Sequence, residues 1–145
     1  MKKNKYTFLF PGQGSQYIGM GIKILNQYPF LKDYYHKANT ILGYNILDII
    51  SGNSTKDLNQ TLYTQPAIFI NSIIKDKLLK MNDIFPYSVA GHSLGEYSAL
   101  VSCNVLTFED ALKIIKIRAY QMQNAGNKNP GGMFAVLGAS ESQLK

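Results

Sequence analysis

With 145 residues, 46% of them apolar, and a formal net charge of +6, the chain is long enough to bury one globular core. A single cysteine excludes an intramolecular disulfide, and no run is apolar enough over enough length to span a membrane. The positive balance permits an acidic partner, but no basic stripe is interleaved with aromatic residues, which argues against nucleic acid.

Met1 to Lys5 leads directly into the apolar run Tyr6-Thr7-Phe8-Leu9-Phe10 rather than into a signal-peptide core, so a cytosolic protein is expected. An organelle transit segment ahead of residue 1 would leave no trace here. The run reads as a strand, stopped by Pro11 and followed by the permissive loop Gly12-Gln13-Gly14-Ser15-Gln16. A dinucleotide fingerprint would need glycine at 17, where Tyr17 stands, and a P-loop would need Gly-Lys-Ser/Thr; both fail. Helical periodicity then covers about 19–28, 31–42 and 66–81, with loops near Gly43, Gly52-Asn53 and Pro86. His36 falls among polar residues and reads as a surface histidine. The tyrosines read as core and rim, and Lys75, Lys77 and Lys80 as a solvated helix face, like the terminal cluster Lys2, Lys3 and Lys5.

The apolar run Ser88-Val89-Ala90 leads into Gly91-His92-Ser93-Leu94-Gly95-Glu96, and Leu94 to Cys103 can follow as a helix. This is the pattern of a nucleophile elbow, in which a serine sits in a strained strand-to-helix turn and glycines on either side let the backbones cross closely. Ser93 is the candidate nucleophile. Glu96, in the first turn, complements the helix dipole, and Cys103, late in the helix, is expected to be a buried small residue. His92 precedes the serine directly, so its side chain leaves the turn in another direction; neither it nor His36 is a convincing base. If both strands are parallel, the loop after Phe10 and the elbow meet at one edge of the sheet, and the N–H groups of Gln13 and Leu94 become candidates for an oxyanion hole.

Thr107-Phe108-Glu109-Asp110 resembles a capping box opening a helix to about Asn124. Ala111, Ile115, Arg118 and Met122 form one stripe on it, with Lys113, Lys116 and Tyr120 opposite. Arg118 is the only arginine against fourteen lysines, and it falls on the apolar side. A guanidinium there must snorkel out or meet an anion, because an unpaired buried charge costs several kcal/mol. Its planar fork suits a carboxylate held bidentately. Two anions are open to it: one of the nine acidic residues of the chain, or a substrate carboxylate. Gly131 to Gly138 reads as a further strand after a turn at Asn127 to Pro130, and Ser140 with Gln143 as a capping box with two residues of helix left to follow.

Phe10-Pro11-Gly12-Gln13-Gly14-Ser15-Gln16, Thr64-Gln65-Pro66-Ala67, Gly91-His92-Ser93-Leu94-Gly95-Glu96, and Arg118 followed by Met122 resemble, in this order, the motif series of malonyl-CoA:acyl-carrier-protein transacylases. The resemblance runs from residue 6 to about residue 138. It implies an α/β fold, with residues 1–125 as the first half of a large α/β-hydrolase-like subdomain having a parallel sheet and the elbow, and 126–145 as the opening of a small ferredoxin-like one. It also implies a ping-pong reaction without a bound cofactor or metal. Ser93 takes malonyl from coenzyme A and passes it to the phosphopantetheine thiol of acyl carrier protein; Gln13 and Leu94 supply the oxyanion hole, and Arg118 binds the malonyl carboxylate. Gln65 matches a motif with no chemical step assigned. The catalytic histidine of the family comes well downstream of the arginine helix, so this chain is expected to hold only the N-terminal half. A serine esterase or thioesterase of the α/β-hydrolase type, and a non-catalytic fragment that binds carrier protein, are the alternatives; only the first family explains the Phe10 to Gln16 motif together with Arg118.

Overall fold

The computed structural model describes residues 5–131 and 136–143. Two strands, β1 (Tyr6–Phe10) and β2 (Pro86–Gly91), pair in parallel with Phe10 opposite Gly91. Between them come four helices, α1 (Ile22–Gln27), α2 (Lys32–Leu42), α3 (Ile46–Ser51) and α4 (Thr61–Met81), with a 3₁₀ turn at Pro29–Leu31. After β2 come α5 (Gly95–Ser102) and α6 (Phe108–Lys128). The described part is thus α/β and mostly helical, with a two-stranded parallel sheet. Two parallel strands need a long crossover, and the helical stretch supplies it.

The main core lies among the helices. It is centred on α4, buried almost without interruption from Thr64 to Ile74, and α6 packs on it through Ala111, Leu112 and Ile115. Phe69 stacks on Phe108 with ring centroids 5.5 Å apart. A smaller cluster, Phe8 and Phe10 with Ala99, Val89 and Ile84, fastens the sheet to α5. Other parts of the strands are open: Leu9 is 76% and Tyr87 69% exposed.

Several expectations shift. The fourth helix begins at Thr61, five residues before the expected start, because Pro66 lies inside it rather than at its first turn. A proline there gives no N–H to the carbonyl four residues back, Leu62. The hydroxyl of Tyr44 donates to that oxygen instead, at 3.2 Å, which compensates the break from another element. The short α3 lies between the expected loops at Gly43 and Gly52-Asn53, where no helix was expected. Asn45 caps it by accepting from Leu47 N at 3.1 Å, and Asp48 in turn accepts from the Asn45 amide at 2.8 Å. The first helix is shorter than expected because Gly19 and Gly21 take left-handed conformations ahead of Ile22.

Lys80 is not part of a solvated face. It turns inward to Asp76, at 2.7 Å, and to the carbonyl of Ser102, also 2.7 Å, while the Ser102 hydroxyl donates to Asp76 at 2.6 Å. Asp76 is 7% exposed, and the three groups satisfy one another where α4 meets the end of α5. Cys103 is exposed, not buried, because α5 ends at Ser102 and Cys103 is its cap. The helix from Phe108 runs to Lys128, past Asn124. Of the strand expected over 131–138, residues 132–135 lie outside the described residues, and Gly131, Val136, Leu137 and Gly138 are not in a strand. Gln143 does accept from both the N–H and the hydroxyl of Ser140, each at 2.9 Å, ahead of a 3₁₀ turn at Glu141–Gln143. Lys2 and Lys3 lie outside the described residues. Among the described residues no helix is long and apolar enough to cross a membrane.

Candidate active site

The parallel pairing brings the carboxyl ends of β1 and β2 to the same edge, and the two glycine-rich segments meet there. His92 N donates to Phe10 O at 3.0 Å, which ties the elbow to the end of β1. Ser93 follows with φ 53°, a left-handed conformation uncommon for a residue with a Cβ. The surrounding packing holds it there. A Cβ on Gly91 would run into the backbone of Gly95 and Glu96, one on Gly95 into the carbonyl of Phe10, and one on Gly12 would lie 2.6 Å from the carbonyl oxygen of His92. Glycine at 91 and 95 is therefore what lets strand, turn and helix cross without side chains between them. Glu96 is exposed in the first turn of α5, as its dipole role requires.

The loop after β1 is ordered by its own polar groups. Gly14, at φ 104°, donates to Gln16 Oε1 at 2.8 Å, and Ser15 Oγ to the Gly12 carbonyl at 2.8 Å. Gln13 and Gln16 reach across to Thr61 and Asn59, at 3.1 and 3.0 Å, so the start of α4 anchors the loop. Among the described residues, no hydrogen bond engages the N–H of Gln13 or of Leu94. Both remain available as donors.

Arg118 reaches this edge from α6. Its Nη2 donates to Ser93 Oγ at 3.0 Å, its Nη1 to Gln65 Oε1 at 2.6 Å, and its guanidinium lies 5.8 Å from the ring centre of Tyr97. The ion pair with an acidic residue of the chain is not formed: among the described residues every partner of Arg118 is neutral. Of its stripe, Ala111 and Ile115 are buried and Met122 is half-exposed, while Lys113, Lys116 and Tyr120 face outward as expected. Thr107 caps α6: Asp110 N donates to Thr107 Oγ1 at 3.1 Å, and that hydroxyl, rather than the Thr107 N–H of a full capping box, donates to the Asp110 carboxylate at 2.8 Å.

Ser93, Leu94, Gln13 and Arg118 therefore come from two loops and a helix to one edge. Neither histidine is a partner of Ser93 Oγ among the described residues: His36 is exposed on α2, and the His92 ring lies over Gly12. A cavity of about 420 Å³ opens between β1 and α4, but Ser93, Gln65 and Arg118 do not line it. Sequence reasoning gave Gln65 no task, yet it is fully buried and holds the guanidinium. The available signal was an amide just before a proline, at the head of the apolar run Ala67 to Ile70. Tyr97, one turn after Ser93 on α5, was missed as well.

The model of the acyl transferase domain family matches residues 7–145. The malonyl CoA-acyl carrier protein transacylase of Haemophilus influenzae is 38% identical over 142 residues, covering 97% of this chain and 46% of that protein. An acyl carrier protein S-malonyltransferase from Vibrio cholerae superposes with a TM-score of 0.78 at 39% identity, over 84% of this chain and 40% of the other. A malonyl-transacylase solved in complex with a type II PKS acyl-carrier protein gives a TM-score of 0.78 at 34% identity, over 84% and 40%. The chain thus spans about half the length of the curated relatives it matches. Over that span sequence and fold both agree with these relatives, and the chain belongs to the acyl transferase domain family.

Proposed function

We propose that the chain is the N-terminal part of a malonyl-CoA:acyl-carrier-protein transacylase, acting in fatty-acid synthesis or on the related polyketide carriers. The observation that carries this reading is the position of Arg118, a cation with only neutral partners among the described residues, 3.0 Å from the oxygen of an elbow serine. A cation beside the nucleophile with no counter-ion among the described residues suits a substrate that brings a carboxylate of its own. A plain ester or thioester brings no carboxylate to meet it.

In this reading Ser93 Oγ attacks the thioester carbonyl of malonyl-CoA while its proton passes to a general base. The N–H groups of Gln13 and Leu94 donate to the developing oxyanion, Arg118 holds the distal carboxylate, and the C–S bond breaks to release coenzyme A. The thiol of the carrier's phosphopantetheine then attacks the seryl ester, and Ser93 recovers its proton. No bound cofactor is needed. The base is a histidine in the half of the relatives' length that this chain does not span. In the same reading the two strands are part of an α/β-hydrolase-like parallel sheet, residues 126–145 open a ferredoxin-like subdomain, and the protein works in the cytoplasm.

The test joins this chain to the C-terminal portion of a relative, mixes the product with labelled malonyl-CoA, and follows covalent adduct by intact mass. Ser93→Ala is expected to abolish the adduct. An adduct that survives at another serine refutes the assignment, and release of free malonate with no transfer to a carrier would favour an esterase.

A further inference from the structure

We infer that Gln65 is the positioning residue that fixes the Arg118 guanidinium without neutralising it, keeping the fork open to a carboxylate. The inference rests on the reading of Arg118 above. Gln65 is fully buried on α4, and both ends of its amide are engaged: Oε1 accepts from Arg118 Nη1 at 2.6 Å, and Nε2 donates to Met122 Sδ at 3.2 Å. A thioether has no hydrogen to give, so the amide nitrogen must face Met122 and the oxygen must face Arg118. The reverse placement would set two donors against each other. Arg118 and Met122 lie one turn apart on α6, and the amide bridges them from the neighbouring helix. The long arginine side chain is thereby held before any substrate arrives, which lowers the ordering cost of binding.

The choice of amide over carboxylate follows from charge. Glutamate has the same shape and would accept from the same Nη1, but it would close an internal ion pair in a largely buried place and remove the attraction for an incoming anion. Glutamine orients the guanidinium and leaves its full charge. The π face of Tyr97, 5.8 Å away, is likewise neutral.

Because Arg118 is the only arginine, ¹⁵N-arginine labelling of the 145-residue chain gives guanidinium signals from this one site. Monomethyl malonate, which carries one carboxylate and one ester carbonyl, is titrated against them, with neutral dimethyl malonate as the control. In the wild-type chain the monoester is expected to shift the signals and the diester to leave them unmoved. Gln65→Ala should let the guanidinium rotate faster and weaken monoester binding by about tenfold, the scale of one lost charge-assisted hydrogen bond. Gln65→Glu, close in shape, should keep the guanidinium ordered yet also lose binding, and it decides the matter if the alanine variant does not fold. Unchanged affinity in Gln65→Ala, or wild-type affinity in Gln65→Glu, overturns the inference. A wild-type chain that ignores the monoester instead removes the carboxylate reading of Arg118, and the role of Gln65 falls with it.

Discussion

Gly95→Ala should destabilise the chain severely, while Gly126→Ala should stabilise it. A Cβ on Gly95 would stand 2.7 Å from the carbonyl carbon of Phe10 and 2.9 Å from the oxygen of Pro11, with the Phe10 oxygen nearer still. Backbone atoms cannot swing aside as a side-chain tip can, so α5 would have to withdraw from β1 by roughly 1.5 Å to regain ordinary contact. That withdrawal strains the bond from His92 N to Phe10 O, 3.0 Å long, and opens the cluster of Phe8, Phe10 and Ala99. Overpacking of this kind costs ~1–3 kcal/mol or more and a lost hydrogen bond ~1, while alanine's better helix propensity returns up to ~1. The net loss is roughly 1–4 kcal/mol, or a fall in Tm of about 3–15 °C for a chain of this size. Gly126 provides the contrast: it lies in α6, and a Cβ there would meet nothing within 4 Å. Alanine should add ~0.5–1 kcal/mol at that position. Urea and thermal unfolding followed by far-UV circular dichroism read both. A Gly95→Ala chain within about 0.5 kcal/mol of wild type would refute the claim that close backbone crossing builds the elbow.

Two further outcomes can be measured. In a chain completed with the C-terminal portion of a relative, Arg118→Ala should lower malonyl transfer at least about tenfold while acetyl transfer holds or rises, with Arg118→Lys in between because the charge survives and the fork does not; equal loss of both, tracking Tm, would make Arg118 a scaffold residue. The Thr107 hydroxyl and then Lys113 hold the Asp110 carboxyl below its usual range. Its contribution to stability is therefore present above the unfolded-state value of about 3.9 and fades as acidification carries it down through the folded one. Asp110→Asn should flatten that part of the pH–stability profile, and an unchanged slope would count against the cap.

Local chemistry marked the elbow, because its constraints lie within a few residues: an apolar strand, a serine between two glycines, and a helix beginning at once. The cap at Thr107 and Asp110 was legible for the same reason. Helix limits were less so. Pro66 signals a helix start when read locally, and only the Tyr44 hydroxyl, brought from 18 residues earlier to the Leu62 carbonyl, explains how the helix accommodates it. Lys80 looked solvated because its partners Asp76 and Ser102 meet only when α4 and α5 pack.

The sequence by itself determined which residues could do chemistry: one serine in a strained turn, two loops with donors to spare, and a lone arginine on an apolar stripe. Tertiary structure decided whom they face. Parallel pairing of β1 with β2 sets the two loops on one edge, and the packing of α6 on α4 delivers Arg118 to Ser93 Oγ. A stripe pattern cannot distinguish an internal ion pair from a cation left open, since both ask only for a guanidinium near the core. That distinction depends on which side chain the neighbouring helix presents, and here it presents the neutral amide of Gln65.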